Sequence, residues 1–162
     1  MIESLLKRNV EQRASSVKLA GRILFLTEDP ALVRSQIEGK DLEVSNSYPL
    51  RNDISTDEIT PAYICYHFDE TLGDFVYLGL KCGDEFPIKR GDVRKGGFIA
   101  SASGKRRGKG SSREQSPYAE MAAGIRLVPI EGLERSDLAA EFEVTPPWDK
   151  RVYLDPRSTS TG

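Results

Sequence analysis

The chain is poor in the residues that usually bind metals or close disulfides, with one histidine and two cysteines among 162 residues. Two cysteines, Cys65 and Cys82, cannot form a disulfide framework or the four-thiolate ligand set of an iron–sulfur cluster. A single histidine, His67, leaves too few ligands for a zinc site built from this chain alone. The sequence therefore predicts no metal site on this chain, and we interpret both cysteines as small buried side chains and His67 as a structural or surface residue.

Long apolar stretches are missing as well. The longest ones, such as residues 23–26 and 62–66, are far shorter than the roughly 20 apolar residues of a membrane-spanning helix. Residues 1–9 lack the apolar centre of a signal peptide. With 38% apolar and 30% charged residues, the composition is typical of a globular protein with one domain, and we expect a cytoplasmic location and no membrane contact.

Basic residues are concentrated in one segment, although the formal net charge is only -2. From Gly104 to Arg113 there are five basic residues and no acidic one: Lys105, Arg106, Arg107, Lys109 and Arg113. Such a segment on an otherwise acidic chain predicts an anionic partner. Because no aromatic residue lies among these cations, a stacking site for nucleic acid is not indicated. A small di- or tricarboxylate or a phosphate ester is favoured, and a solvated basic loop is the alternative.

The first part of the chain predicts a helix, a strand and a second helix. Apolar residues recur at helical spacing over 2–13, and residues 18–27 have the apolar composition of a strand. Asp29 followed by Pro30 is typical of a helix N-terminus, and Gly39 is typical of its end.

Short strands and one further helix are predicted after a loop over 40–61. The predicted strands cover residues 62–68, 75–81, 97–102 and 125–130, and the first two are joined by a hairpin turn. Phe86 and Ile88 are predicted to enter the core. Ser116 and Pro117 begin a helix that Gly124 ends. This order of elements predicts an α+β fold, with a helical extension over 1–17 and a partly disordered tail over 136–162.

The segment from Ser103 to Glu114 carries the chemistry. Its glycines let backbone N–H groups approach a ligand closely, and the helix that follows adds free N–H donors. The hydroxyls of Ser111 and Ser112 and the guanidinium of Arg113 complete a predicted anion site. A phosphate-binding Walker A loop does not fit the glycine spacing, and the dinucleotide fingerprint fits it weakly. Ser111 could also cap the helix, with Glu114 completing a capping box.

Two segments resemble motifs of one protein family. Residues 110–114, Gly-Ser-Ser-Arg-Glu, resemble the signature of the swivelling domain of the aconitase and isopropylmalate dehydratase superfamily. Residues 53–61 resemble an upstream element of the same domain, and the resemblance covers about residues 40–130. The family has histidine where this chain has Glu58 and Gln115, and the family's pattern is not followed over residues 136–162.

The resemblance implies a β/β/α swivelling domain over residues 18–135, with a mixed sheet and flanking helices. It also implies a separate large catalytic subunit or domain that carries a [4Fe-4S] cluster, whose iron would act as a Lewis acid on the leaving hydroxyl. The reaction would be the reversible dehydration of a hydroxy di- or tricarboxylic acid.

Site roles follow from the same resemblance. Ser111 would be the catalytic base that removes the proton α to a carboxylate, and Asp57 would order the site around it. Gly110, Ser112 and Arg113 would bind the substrate carboxylates. The alternative is a non-catalytic swivelling domain that binds an anionic ligand or RNA through its Gly/Lys/Arg loop.

Overall fold

The computed structural model describes residues 17–43, 48–111, 113–128 and 141–144. Its contacts divide the chain into two compact units, Ala20–Phe142 and a second one made of Met1–Leu19 with Glu143–Gly162. All candidate site residues fall in the first unit. The predicted helix over 2–13, the tail beyond residue 144 and Ser112 lie outside the described residues.

Six short strands and four helices make up the described part. The strands are β1 Val17–Ala20, β2 Arg22–Phe25, β3 Ile54–Ser55, β4 Phe98–Ala102, β5 Arg107–Lys109 and β6 Glu141–Val144. The helices are α1 Pro30–Ile37, α2 Thr56–Ile59, α3 Asp92–Gly96 and α4 Gln115–Ala122, with 3-10 helices at Ala62–Ile64 and Glu70–Asp74. The strands pair in three two-stranded sheets, β1 with β6, β2 parallel to β4, and β3 parallel to β5. The predicted mixture of α and β structure is confirmed at this level, and the layered β/β/α arrangement stays a prediction.

Strands β2 and β4 form the centre of the core. Leu24 and Leu26 pack into the larger cluster of buried side chains, whereas Ile23 and Phe25 pack into a smaller cluster. Successive side chains of a strand point to opposite faces, so both faces of this sheet are covered. A continuous apolar run is what a parallel strand buried on both faces requires.

The strand predicted over 18–27 divides at Gly21. This glycine has φ 151°, and a Cβ built on it would lie 3.0 Å from Cγ2 of Ile99. The close approach and the positive φ disfavour a side chain here, where the chain leaves β1 to enter β2.

Helix α1 begins and ends as predicted. The side chain of Asp29 accepts a hydrogen bond from the Ala31 amide at 2.8 Å, and Pro30 occupies the first helical position. Gly39 follows with φ 99°, a left-handed conformation that glycine adopts without strain.

The two strands predicted within residues 62–81 are wrong. This segment forms turns and the two 3-10 helices, and Tyr77 has φ 60°, which no strand accommodates. Its buried residues include Leu72, Val76 and Leu80. Val76 and the adjacent Tyr77 are both buried, whereas successive residues of a half-buried strand alternate between buried and exposed.

Several smaller predictions are also settled by burial. Ile88 is buried as expected, but Phe86 is wrong as a core residue because 60% of it is exposed. Cys82 is buried as expected, Cys65 is only half-buried, and neither lies on a strand of the structure. In its described part, the strand predicted over 125–130 is reduced to a parallel bridge between Leu127 and Ala100.

Candidate functional site

Parallel pairing of β3 with β5 brings the two family-like segments together. Ile54 pairs with Arg107, and Ser55 pairs with Lys109. Just before β3, the amide of Asp53 donates to the carbonyl of Lys105 at 2.8 Å. Segments about 50 residues apart in the sequence therefore share one backbone ladder. The sequence analysis did not predict β5, because it interpreted the whole glycine segment as a loop.

A cavity of about 460 Å³ opens where this small sheet meets helix α4. It is lined by Thr56, Ile59, Arg107, Gly108, Ser111, Arg113, Glu114, Ser116, Pro117, Glu120 and Val128. Ser111 and Arg113, two of the predicted site residues, thus face the same space. Arg107 and Glu120 add a second pair of charged groups that the sequence analysis had not assigned to a site.

Arg113 is held by the α2 segment. Its Nη1 donates to Oδ1 of Asp57 at 2.6 Å and to the carbonyl oxygen of Thr60 at 3.3 Å. The hydrogen bond from Arg113 holds the pKa of the Asp57 carboxyl below its usual range, and the same bond raises the pKa of Arg113. Asp57 thus contacts the predicted carboxylate-binding arginine, and no direct contact joins it to Ser111 in the described structure.

The ion pair between Asp57 and Arg113 predicts a lowered pKa for Asp57 and a matching pH dependence of the stability of the folded chain. Asp57 should titrate below the ordinary aspartate value of about 3.9, because Arg113 favours its ionised form. A lowered folded-state pKa stabilises the folded chain above the unfolded pKa, and this contribution is lost as the pH falls through the lowered value. A ¹³C NMR titration of the carboxyl groups measures the shift. In an Arg113→Gln variant the Asp57 pKa should return towards 3.9, and an unchanged value would contradict the pairing.

Two residues that depart from the family pattern make structural contacts. Glu58 completes a capping box at the start of α2, with Ser55 as the N-cap residue, and forms an ion pair with Arg51 at 2.7 Å. Gln115 donates from Nε2 to the carbonyl oxygen of Cys65 at 3.5 Å. Both side chains help to position the segments that border the cavity.

Ser111 is exposed and does not cap helix α4. The helix begins at Gln115, with Glu114 at the N-cap position and no side-chain cap hydrogen bond. The capping alternative is therefore wrong. Gly110 precedes Ser111 with φ 113°, and a Cβ built on it would lie 3.5 Å from Oγ1 of Thr56. Glycine is favoured here by the left-handed backbone rather than by a lack of space.

The basic segment is less cationic than its sequence suggests. Asp53 lies 2.7 Å from Nε of Arg106 and 3.6 Å from Nζ of Lys109. Arg107 pairs with Glu120, in addition to the pairing of Arg113 with Asp57. The expected excess of positive charge is thus reduced by acidic side chains from other parts of the chain, which corrects the inference drawn from local charge alone.

A buried network of polar side chains lies beside the cavity. The Tyr77 hydroxyl donates to Oε1 of Glu120 at 2.7 Å, and a second 2.7 Å hydrogen bond joins it to Oγ of Ser101. Arg107 donates to all three groups from Nη2. Burial raises the pKa of the Tyr77 hydroxyl, which keeps it protonated. No signal in the sequence predicted this network, since its four members come from four separate segments.

Comparison with known proteins agrees with the family-like motifs. Over 87 residues the chain is 39% identical to the isopropylmalate/citramalate isomerase small subunit of Methanocaldococcus jannaschii, a match that covers 52% of this chain and 46% of that protein. It is also 39% identical over 90 residues to 3-isopropylmalate dehydratase small subunit 1 of Methanopyrus kandleri, covering 55% of this chain and 49% of that protein. The chain is thus similar to these small subunits over about half of its length. It spans about half the length of the curated relatives it matches, and no family model matches it.

The residues of this small-subunit relative do not fit an iron–sulfur cluster of its own. The sequence has two cysteines and one histidine, and within the described residues no three His, Cys, Asp or Glu side chains converge to hold a metal ion. The half-buried imidazole of His67 packs against two aromatic rings. Its ring centroid lies 4.2 Å from that of Tyr66 and 5.5 Å from that of Phe75. In the same described part, no helix has both the length and the apolar character needed to cross a membrane.

Proposed function

We propose that this chain is the small, swivelling component of a hydro-lyase of the isopropylmalate dehydratase type. It would bind the carboxylates of a hydroxy di- or tricarboxylic acid in the cavity next to β5 and supply a serine base for reversible dehydration. One observation carries the proposal: β3 of the first family-like segment pairs with β5, which directly precedes the second, and Ser111 and Arg113 line one cavity. The names of the two relatives support the same assignment.

Ser111 is the proposed base. Its oxygen would take the proton from the carbon α to a substrate carboxylate, and the electrons of that C–H bond would form the new double bond as the hydroxyl leaves from the neighbouring carbon. A serine hydroxyl ionises only where positive charge is near and water is excluded. Arg107 and Arg113 line the same cavity, and their positive charge is partly balanced by Glu120 and Asp57.

Arg113 is the proposed ligand of a substrate carboxylate. Its planar fork matches the two oxygens of a carboxylate, and its Nη1 is already directed by Asp57 and Thr60. Asp57 would therefore act as a positioning residue that orients this fork. Gly110 would let the backbone approach the ligand, and Ser112, which lies outside the described residues, is proposed as a further ligand.

A second protein is needed to exclude water. Ser111 is exposed in this chain, as are Gly108 and Gly110 beside it. We propose that a large subunit carrying the [4Fe-4S] cluster covers this surface. Three exposed aromatic residues, Tyr63, Tyr66 and Phe68, lie in the segment that Gln115 ties to helix α4, and they offer apolar area to such a partner.

Reconstitution tests the proposal. The chain, mixed with a cluster-loaded large subunit of this enzyme type, should catalyse formation of an unsaturated acid from a panel of hydroxy di- and tricarboxylic acids, followed by ultraviolet absorbance. Either protein alone should give no turnover. Turnover by the chain without a partner, or binding of RNA in place of any acid, would contradict the proposal, and the second result would favour the non-catalytic alternative.

A further inference from the structure

The two terminal nitrogens of the Arg107 guanidinium differ in their hydrogen bonds. Its Nη2 lies within hydrogen-bond reach of Tyr77, Ser101 and Glu120, whereas its Nη1 is buried and has no hydrogen-bond partner among the described residues. The side chain is only 4% exposed, and it lines the cavity together with Glu120. A buried charged donor without an acceptor is unfavourable, and so are groups that cover it further without bonding to it. Nη1 of Arg107 therefore lacks a hydrogen-bond acceptor at the edge of the proposed substrate site.

Building on the proposed function, we propose that Arg107 is a specificity-determining residue that binds an acceptor oxygen on the variable substituent of the acid. Among the parts common to all these acids, the α-proton is assigned to Ser111 and a carboxylate to Arg113. The variable substituent would then meet the wall formed by Arg107 and Glu120. The cavity should select an acid whose substituent ends in a carboxylate over one whose substituent is alkyl.

The preference follows from an asymmetry in hydrogen bonding. An alkyl group placed against this wall offers Nη1 no acceptor. A carboxylate offers an acceptor and a charge opposite to that of the guanidinium. Sites built to hydrogen-bond a substrate group strongly reject analogues that lack it. Glu120 would hold the fork in place through Oε1 and prevent its withdrawal from the cavity wall.

Isocitrate and 3-isopropylmalate are suitable probes, because both are malates that differ in one substituent, carboxymethyl in the first and isopropyl in the second. The full chain, labelled with ¹⁵N, is titrated with each acid, and the Ser111 amide and the Arg107 Nε–H signals are followed. Isocitrate should bind at least about tenfold more tightly, which corresponds to about 1.4 kcal/mol. It should also shift the Arg107 signal, whereas 3-isopropylmalate should shift the Ser111 signal alone.

The double variant Arg107→Leu/Glu120→Leu separates specificity from structure. It removes both charges together, and it leaves Tyr77 and Ser101 hydrogen-bonded to each other at 2.7 Å. The tenfold preference should disappear in this variant and persist in Arg106→Leu, a control at an exposed arginine that does not line the cavity.

Three outcomes would count against the inference. Equal or tighter binding of 3-isopropylmalate by the unchanged chain overturns it and leaves the proposed function standing. A preference that survives the double replacement also overturns it, because a purely structural ion pair would give that result. If neither acid shifts the Ser111 signal in the millimolar range, the inference fails, whereas the proposed function is decided by the reconstitution with a large subunit.

Discussion

Replacing Ser111 by alanine is expected to lower turnover of the reconstituted enzyme by a factor of about 10²–10⁴, the usual contribution of a general base. The serine oxygen is the proposed proton acceptor, and alanine offers none. Substrate binding should change little, because the carboxylate contacts assigned to Arg113 remain. The loss should therefore appear in kcat, with KM nearly unchanged.

A serine elsewhere provides the control for this experiment. Ser35 lies on helix α1 and does not line the cavity, so Ser35→Ala should leave kcat and KM unchanged. Steady-state rates and a binding titration of each variant give the two quantities separately. Full turnover by Ser111→Ala would remove this residue as the base, and loss of binding with normal kcat would make it a ligand only.

The grouping of the candidate site was predictable from the sequence. Two short segments, residues 53–61 and 110–114, were each associated with the same family, and the structure places them side by side through β3 and β5. Local signals also predicted helix α1, since Asp29 and Pro30 act within a single turn. These predictions hold because each depends on neighbouring residues or on a pattern shared with a family.

The contacts between distant segments were not predictable in this way. Asp53 is remote in sequence from Arg106, and Glu120 is remote from Arg107, so local charge counting overstated the cationic character of the loop. The prediction of two strands within residues 62–81 was wrong for a related reason. Their apolar composition is typical of strands, but the burial of both Val76 and Tyr77 and the φ of 60° at Tyr77 come from the turns of the folded chain.

The largest effect on stability is expected from removing one member of the buried ion pair. Glu120→Leu would leave the Arg107 guanidinium buried without a counter-charge, and the Tyr77 hydroxyl would lose its carboxylate acceptor. Breaking a buried pair in this way costs about 3–5 kcal/mol of unfolding free energy. Removing both charges, as in Arg107→Leu/Glu120→Leu, should cost much less, because no unpaired charge remains.

Urea denaturation followed by far-UV circular dichroism measures the free energy of unfolding of both variants. The comparison is valid if the slope of this free energy against urea concentration is the same for both. The single variant should be the less stable of the two, although the double variant carries more substitutions. If the double variant is the less stable, the pair contributes through packing rather than charge. In that case Arg107 tolerates the loss of Glu120, and the carboxylate is not what holds its fork at the cavity wall.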